Sequence, residues 1–200
     1  MRKAPISWLI AMILLAGCSD QTEEPVTGTD PGPVETQVAE AEVEPASAAM
    51  KAAEAASRLA EKQDELQAAR QARLAEGQAY MHINALKPNV NVLESGLQFE
   101  ILEEGDGKSP GPESNVITHY LGTFINGDVF DSSLERGKPA QFPVNRVIKG
   151  WTEALQLMKE GDVWRLVIPP QLGYGEGGAG ETIPPDTVLV FEVELIEVKD

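Results

Sequence analysis

The sequence predicts an α+β domain of antiparallel strands and one short helix, carried behind a longer alanine-rich helix. Three observations lead there. From Leu93 onward apolar residues recur mostly at every second position, the period of a half-buried strand. That run is broken once by a helical pattern, Thr152 to Met158, in which Ala154, Leu155, Leu157 and Met158 offer an apolar face. Between Ala46 and Glu76 there is neither Gly nor Pro and alanine is abundant, a composition that favours helix. At 200 residues the chain has room for one well-packed domain with appendages.

Residues 1–17 have the form of a secretory signal peptide. Arg2 and Lys3 precede an apolar run, Ile6 to Ala16, that is short of the ~20 residues needed to span a membrane. The run ends in Leu15-Ala16-Gly17-Cys18, which resembles the bacterial lipoprotein box. That resemblance implies cleavage before Cys18 and acylation of its side chain and new terminus. An ordinary signal peptide with a chance cysteine is the alternative, but the only cysteine of the chain stands where the box requires it. Acyl chains contribute about 0.8 kcal/mol per buried CH₂, so several hold firmly. Ser19 rather than aspartate follows Cys18, which by the same resemblance points to the outer membrane, facing the periplasm of a bacterial envelope.

Residues 18–47 read as a disordered tether. Pro25, Pro31, Pro33 and Pro45 interrupt it, and no aromatic occurs between Ser19 and Ala79. Such a segment buries too little apolar area to offset its ordering entropy. As a coil it spans roughly 30 Å. Residues 48–86 read as a helix or stalk, with Pro45 suited to an early helical position and Glu54–Arg58 an i,i+4 pair of favourable sense. Leu59, Leu66, Leu74 and Met81 fall on one narrow stripe. The stripe is either a solvated face or the seam of a homodimer, since no second helix of this chain is there to cover it.

The sheet domain is assigned to residues 89–200. Gly96 to Leu102 reads as a strand, with a turn at Gly105-Asp106-Gly107. Val116 to Phe124 is a second strand, and Asn126-Gly127 signals a hairpin into Val129–Ser133. Gln141–Val144 is short and, with its proline, suits an edge. After the helix come Val163 to Ile168, a Gly- and Pro-rich loop over 169–186, and Val188 to Val198. In that last strand Leu189, Phe191, Val193 and Leu195 share one face, and Glu192 and Glu194 the other. The expected arrangement is a sheet curving over the helix.

Composition excludes several functions. The formal net charge of −16 repels phosphates, so nucleic acid is not an expected partner. One cysteine allows no internal disulfide, and two histidines, His82 and His119, far apart in sequence, argue against a zinc site. What remains is an aromatic pattern. Val147-Ile148-Lys149-Gly150-Trp151 leads into the helix, and Tyr120, Phe130, Phe142, Tyr174 and Phe191 lie in the strands and loops around it. A closed core containing one Trp is the plain reading. The glycine-rich loop and Pro184-Pro185 argue instead for a shallow apolar pocket.

These residues resemble the FKBP peptidyl-prolyl cis–trans isomerases. The likeness rests on His119-Tyr120-Leu121-Gly122, Phe130-Asp131-Ser132-Ser133, the VIKGW run, Gly173-Tyr174-Gly175, Ile183-Pro184-Pro185 and Phe191 to Leu195, in order over residues 96–200. The lead-in from Gly77 to Phe99 resembles the envelope subgroup related to macrophage infectivity potentiator, whose members often dimerise through N-terminal helices. The resemblance implies an antiparallel five-stranded half-barrel sheet wrapped over one short helix, with the pocket between them. It places Trp151 as the floor and Phe142, Val147, Ile148 and Ile183 beside it as substrate-binding residues, Ile183 flanking the entrance. Tyr120, Phe130, Asp131, Tyr174 and Phe191 would be the catalytic set. Arg146 and Lys149, around the Val-Ile pair, together with Ala179 and Thr182, are positions where relatives vary.

The implied reaction is rotation about an X–Pro amide in unfolded or exported polypeptides. Its barrier is about 18–20 kcal/mol because rotation breaks amide resonance. No covalent bond is made or broken, so the chemistry calls for no nucleophile, metal or cofactor. Macrolide immunosuppressants of the tacrolimus type are expected inhibitors. Asp131 either orients Tyr120 or polarises the amide, or else caps a turn with Ser132 and Ser133. His119, between apolar neighbours, reads as a core or sheet-face residue. A holdase chaperone and a proline-docking module without turnover are the competing functions; the full aromatic set favours the isomerase.

Overall fold

In a computed structural model the chain is described from residue 44 to residue 199, with side chains from Ser47. The signal peptide, Cys18 and the tether up to residue 43 lie outside the described residues. Helix α1 runs Glu44–Ala85, so the last residues assigned to the tether are already helical. Pro45 sits in its first turn, where a missing N–H breaks no bond.

After α1 come β1 (Val90–Val92), β2 (Gln98–Glu103), β3 (Asn115–Phe124), β4 (Val129–Ser132) and β5 (Ala140–Pro143). Helix α2 (Lys149–Leu155), β6 (Val163–Ile168) and β7 (Leu189–Lys199) complete the order. All strands join one antiparallel sheet in the order β1-β2-β6-β7-β3-β4, with β5 also on β3. The sheet therefore has seven strands rather than five. The difference has a simple origin. β4 pairs with Leu121–Thr123 and β5 with Asn115–Thr118, so the two lie end to end along one edge of β3. Counting them as one interrupted strand leaves six, and setting aside the three-residue β1 on β2 leaves five. Pro143 lies in β5, at the edge, as expected of a residue without an N–H.

Curvature follows from irregular pairing. Register shifts fall at Ile101/Glu103, Gly122/Thr123 and Ile117/Thr118, and bulges of this kind bend and twist a sheet. The concave side closes over α2. Trp151, Ala154, Leu155 and Met158 are buried there with Leu166, Ile168, Leu189, Phe191, Val193 and Leu195. Leu157 is half exposed instead of joining that face, because α2 ends at Leu155 and the chain has turned by then. Gly150 sets how closely the helix approaches: a Cβ there would stand 2.7 Å from the Ile168 side chain. The hairpin at Asn126-Gly127 forms as read, with Gly127 at φ +92° and Asn126 Oδ1 accepting from the Asp128 N–H at 3.0 Å.

The convex side is not left to solvent. The last turns of α1 lie over it, and Tyr80 and Met81 pack on Val167, Val188 and Val190. Gln98 Nε2 donates to the Met81 carbonyl and Gln98 Oε1 accepts from Asn84 Nδ2, both at 2.9 Å. Residues 47–200 form one compact unit. A boundary near residue 89 is thus a break in secondary structure and not in packing. The leucine stripe divides accordingly: Met81 and Leu74 are partly covered by the chain's own sheet domain, whereas Leu59 and Leu66 are exposed.

Candidate active site

The concave face opens at one end into a cavity of about 410 Å³. Its lining is Tyr120, Phe130, Asp131, Phe142, Arg146, Val147, Ile148, Trp151, Tyr174 and Phe191. Trp151 is the floor. It is 4% exposed, and three rings meet its indole edge to face: Tyr120 at 5.3 Å, Phe191 at 5.4 Å and Phe142 at 5.8 Å between centroids. Phe130 stands perpendicular to Phe191 at 5.4 Å and closes the wall. Edge-to-face contacts of this kind fix ring orientation as well as burying area. Gly122 makes the room: a Cβ there would fall within 3 Å of both Phe130 and Phe191.

The polar groups sit on one wall. The Tyr120 hydroxyl donates to Asp131 Oδ2 at 2.7 Å and accepts from Arg136 Nη2 at 2.6 Å. Arg136 also pairs with Asp131 Oδ1, and its guanidinium lies 5.4 Å from the centre of the Tyr120 ring. Burial and donation to Asp131 push the Tyr120 hydroxyl above its ordinary pKa. For Asp131, burial acts upward, but the bonds from Tyr120 and Arg136 outweigh it and hold the carboxyl below its usual value. Behind this wall Ser133 Oγ accepts from the Tyr120 N–H at 2.8 Å and lies 3.0 Å from His119 Nδ1. Across the cavity Tyr174 is 42% exposed, and its hydroxyl, raised by burial and by the charge of Asp131, meets no partner among the described residues. The Ile148 N–H, just ahead of α2, is likewise unpartnered among them.

Residues 107–196 match the family model for the FKBP-type peptidyl-prolyl cis-trans isomerase, and residues 34–101 match the domain amino-terminal to it. The FKBP-type 22 kDa peptidyl-prolyl cis-trans isomerase of Escherichia coli (strain K12) is 56% identical over 128 residues, 64% of this chain and 62% of that protein. The outer membrane protein MIP of Legionella longbeachae is 47% identical over 125 residues, 62% of this chain and 54% of that one. The crystal structure of FkpA from Escherichia coli superposes with a TM-score of 0.69 at 36% identity, covering 82% of this chain and 74% of that one. The chain belongs to the FKBP family. It spans between half and two thirds of the length of those two curated relatives.

Of the residues the sequence assigns to an FKBP pocket, the structure brings nine together: Tyr120, Phe130, Asp131, Phe142, Val147, Ile148, Trp151, Tyr174 and Phe191 all line the cavity. Ile183 does not. It is 6% exposed within the core, because paired hydrogen bonds with Ala179 at 2.8 and 3.1 Å fold the loop back and turn the residue inward. Two arginines take unassigned places in this FKBP site. Arg146 lines the cavity beside the Val-Ile pair. Arg136 ties Asp131 to Tyr120 from a polar loop, five residues past the carboxylate, where no local pattern marks it out.

Proposed function

We propose that this chain catalyses cis–trans rotation about X–Pro amides in polypeptides of the bacterial envelope. The observation that carries the reading is the aromatic cavity with Trp151 as its floor and three rings set edge-on around it. Its volume lies within the range of small-molecule sites and suits a proline ring with the residue before it.

The chemistry follows from what the amide loses on twisting. The planar amide is polar through resonance, and the twisted one less so. An apolar, preformed cavity therefore favours the twisted form relative to the planar one. The proline ring rests on Trp151 while Phe130, Phe142 and Phe191 exclude water from the rotating bond. The unpartnered Tyr174 hydroxyl and Ile148 N–H are placed to hold the substrate's carbonyls against the turning segment. Asp131 is committed to Tyr120 and Arg136, so its part is to fix the wall rather than to move a proton. Tacrolimus-type macrolides would fill the same cavity and compete with substrate.

Further parts of the reading rest on the sequence. Lipid on Cys18 would anchor the protein to an outer membrane facing the periplasm. The name of the Legionella relative supports that location. The exposed Leu59 and Leu66 on the free half of α1 offer a seam for a second copy. A protease-free exchange assay on a proline tetrapeptide tests the activity, and sedimentation of the soluble chain tests the seam. Unchanged exchange in the first, or a monomer in the second, would overturn the respective point.

A further inference from the structure

We infer that α1 is part of the isomerase machinery: an ion pair between Arg70 and Asp186 positions the loop that carries Tyr174. The inference rests on the isomerase reading above and adds a positioning pair outside the cavity. Arg70 lies on the docked part of α1. Its Nε donates to Asp186 Oδ2, and its Nη2 lies 3.3 Å from Glu176 Oε1. One turn on, Arg73 Nε donates to the Pro185 carbonyl at 3.3 Å. The helix thus holds both ends of the segment from Glu176 to Asp186.

Asp186 is built for this contact. It is 7% exposed, and it is the one non-glycine residue at positive φ, +55°, among the described residues. Left-handed backbone at that site would be met with less strain by glycine. A carboxylate brings the added penalty of burial, which the Arg70 guanidinium offsets. The Asp186 N–H then donates to the Gly175 carbonyl at 2.8 Å and closes the loop at its neck. Gly175 follows Tyr174 directly. The path from Arg70 through Asp186 and the Gly175 backbone to Tyr174 contains one ion pair, one backbone hydrogen bond and one peptide unit. Gly77 lets the helix settle there, since a Cβ would stand 2.7 Å from Val188 Cγ2.

The test uses Arg70→Gln and Asp186→Asn in the chain from residue 19 onward, with Arg58→Gln as control. Arg58 pairs with Glu54 on the free half of α1. We expect each test variant to lower kcat/KM on a proline tetrapeptide about three- to tenfold with the melting profile still cooperative, Arg70→Lys to recover part of it, and the control to match wild type. Because the pair acts through Tyr174, the loss should nearly vanish in a Tyr174→Phe background, a non-additivity that a purely structural role would not produce. Amide exchange should quicken in residues 173–187 and stay unchanged in residues 140–151. Wild-type kcat/KM in both variants, or losses that simply add to that of Tyr174→Phe, would overturn the inference. If the wild-type protein itself catalyses nothing, the isomerase reading falls and the exchange measurement decides the clamp alone: unchanged exchange in Arg70→Gln rejects it.

Discussion

Tyr120 and Asp131 are joined across the β3–β4 edge by a 2.7 Å hydrogen bond, and the carboxylate is the acceptor. The bond spends the carboxylate on orienting a ring that also meets Trp151 edge to face. Tyr120→Phe keeps the ring and removes the tie. Stability should fall by about 1 kcal/mol and kcat/KM by roughly two- to tenfold. Asp131→Asn added to it should then cost little more, since the two act as a unit. Fully additive losses would mean that Asp131 acts on the substrate directly.

The same pair sets the pH behaviour. Asp131 is held below its ordinary pKa in the folded chain, so its contribution to stability is complete above the unfolded value of about 4. It is lost as pH falls through the lower folded value. Tyr120 is raised, so its contribution is complete below about 10 and lost as pH climbs through the raised value. Between these limits neither group changes charge, and kcat/KM should be flat from about pH 5 to 9. A step inside that window would contradict this account of the pair.

A fragment starting at residue 89 removes the cover over Val167, Val188 and Val190 and leaves the Gln98 amide without Asn84 and the Met81 carbonyl. Exposing two of those valines costs on the order of 3–6 kcal/mol, and the amide bonds add about 1 kcal/mol each. The fragment should still melt cooperatively, well below a fragment starting at residue 68. Equal melting temperatures in scanning calorimetry would show that the docked turns of α1 contribute nothing.

Cys18→Ala tests the anchor. The variant should accumulate as precursor or appear in the soluble fraction, and labelled fatty acid should not be incorporated. Normal labelling in the variant would exclude Cys18 as the acylated residue.

Much of this was legible because local rules agree with the global fold. Period-two runs and Asn126-Gly127 specify β3, β4 and β7, and Gly150-Trp151 marks the helix that the sheet encloses. Short or non-local features were not legible. β1 has three residues and follows Pro88-Asn89, too little for a pattern. Whether Ile183 faces cavity or core depends on its backbone pairing with Ala179, which no side-chain spacing encodes. Arg136 reaches Asp131 and Tyr120 from a polar loop that reads as solvated. Arg70 meets Asp186 across 116 positions, and an arginine on an exposed-looking helix carries no sign of such a partner.

The central claim is that the aromatic cavity itself accelerates amide rotation. Exchange spectroscopy by NMR on a Leu-Pro peptide, with wild type, Tyr174→Phe and Phe130→Ala at equal concentration, tests it most directly. Wild type should raise the exchange rate far above the uncatalysed tens to hundreds of seconds. Tyr174→Phe should lose about two- to tenfold, and Phe130→Ala clearly more, because it opens the wall to water. No acceleration by wild type on any X–Pro peptide, or equal acceleration by wild type and Phe130→Ala, would contradict the account.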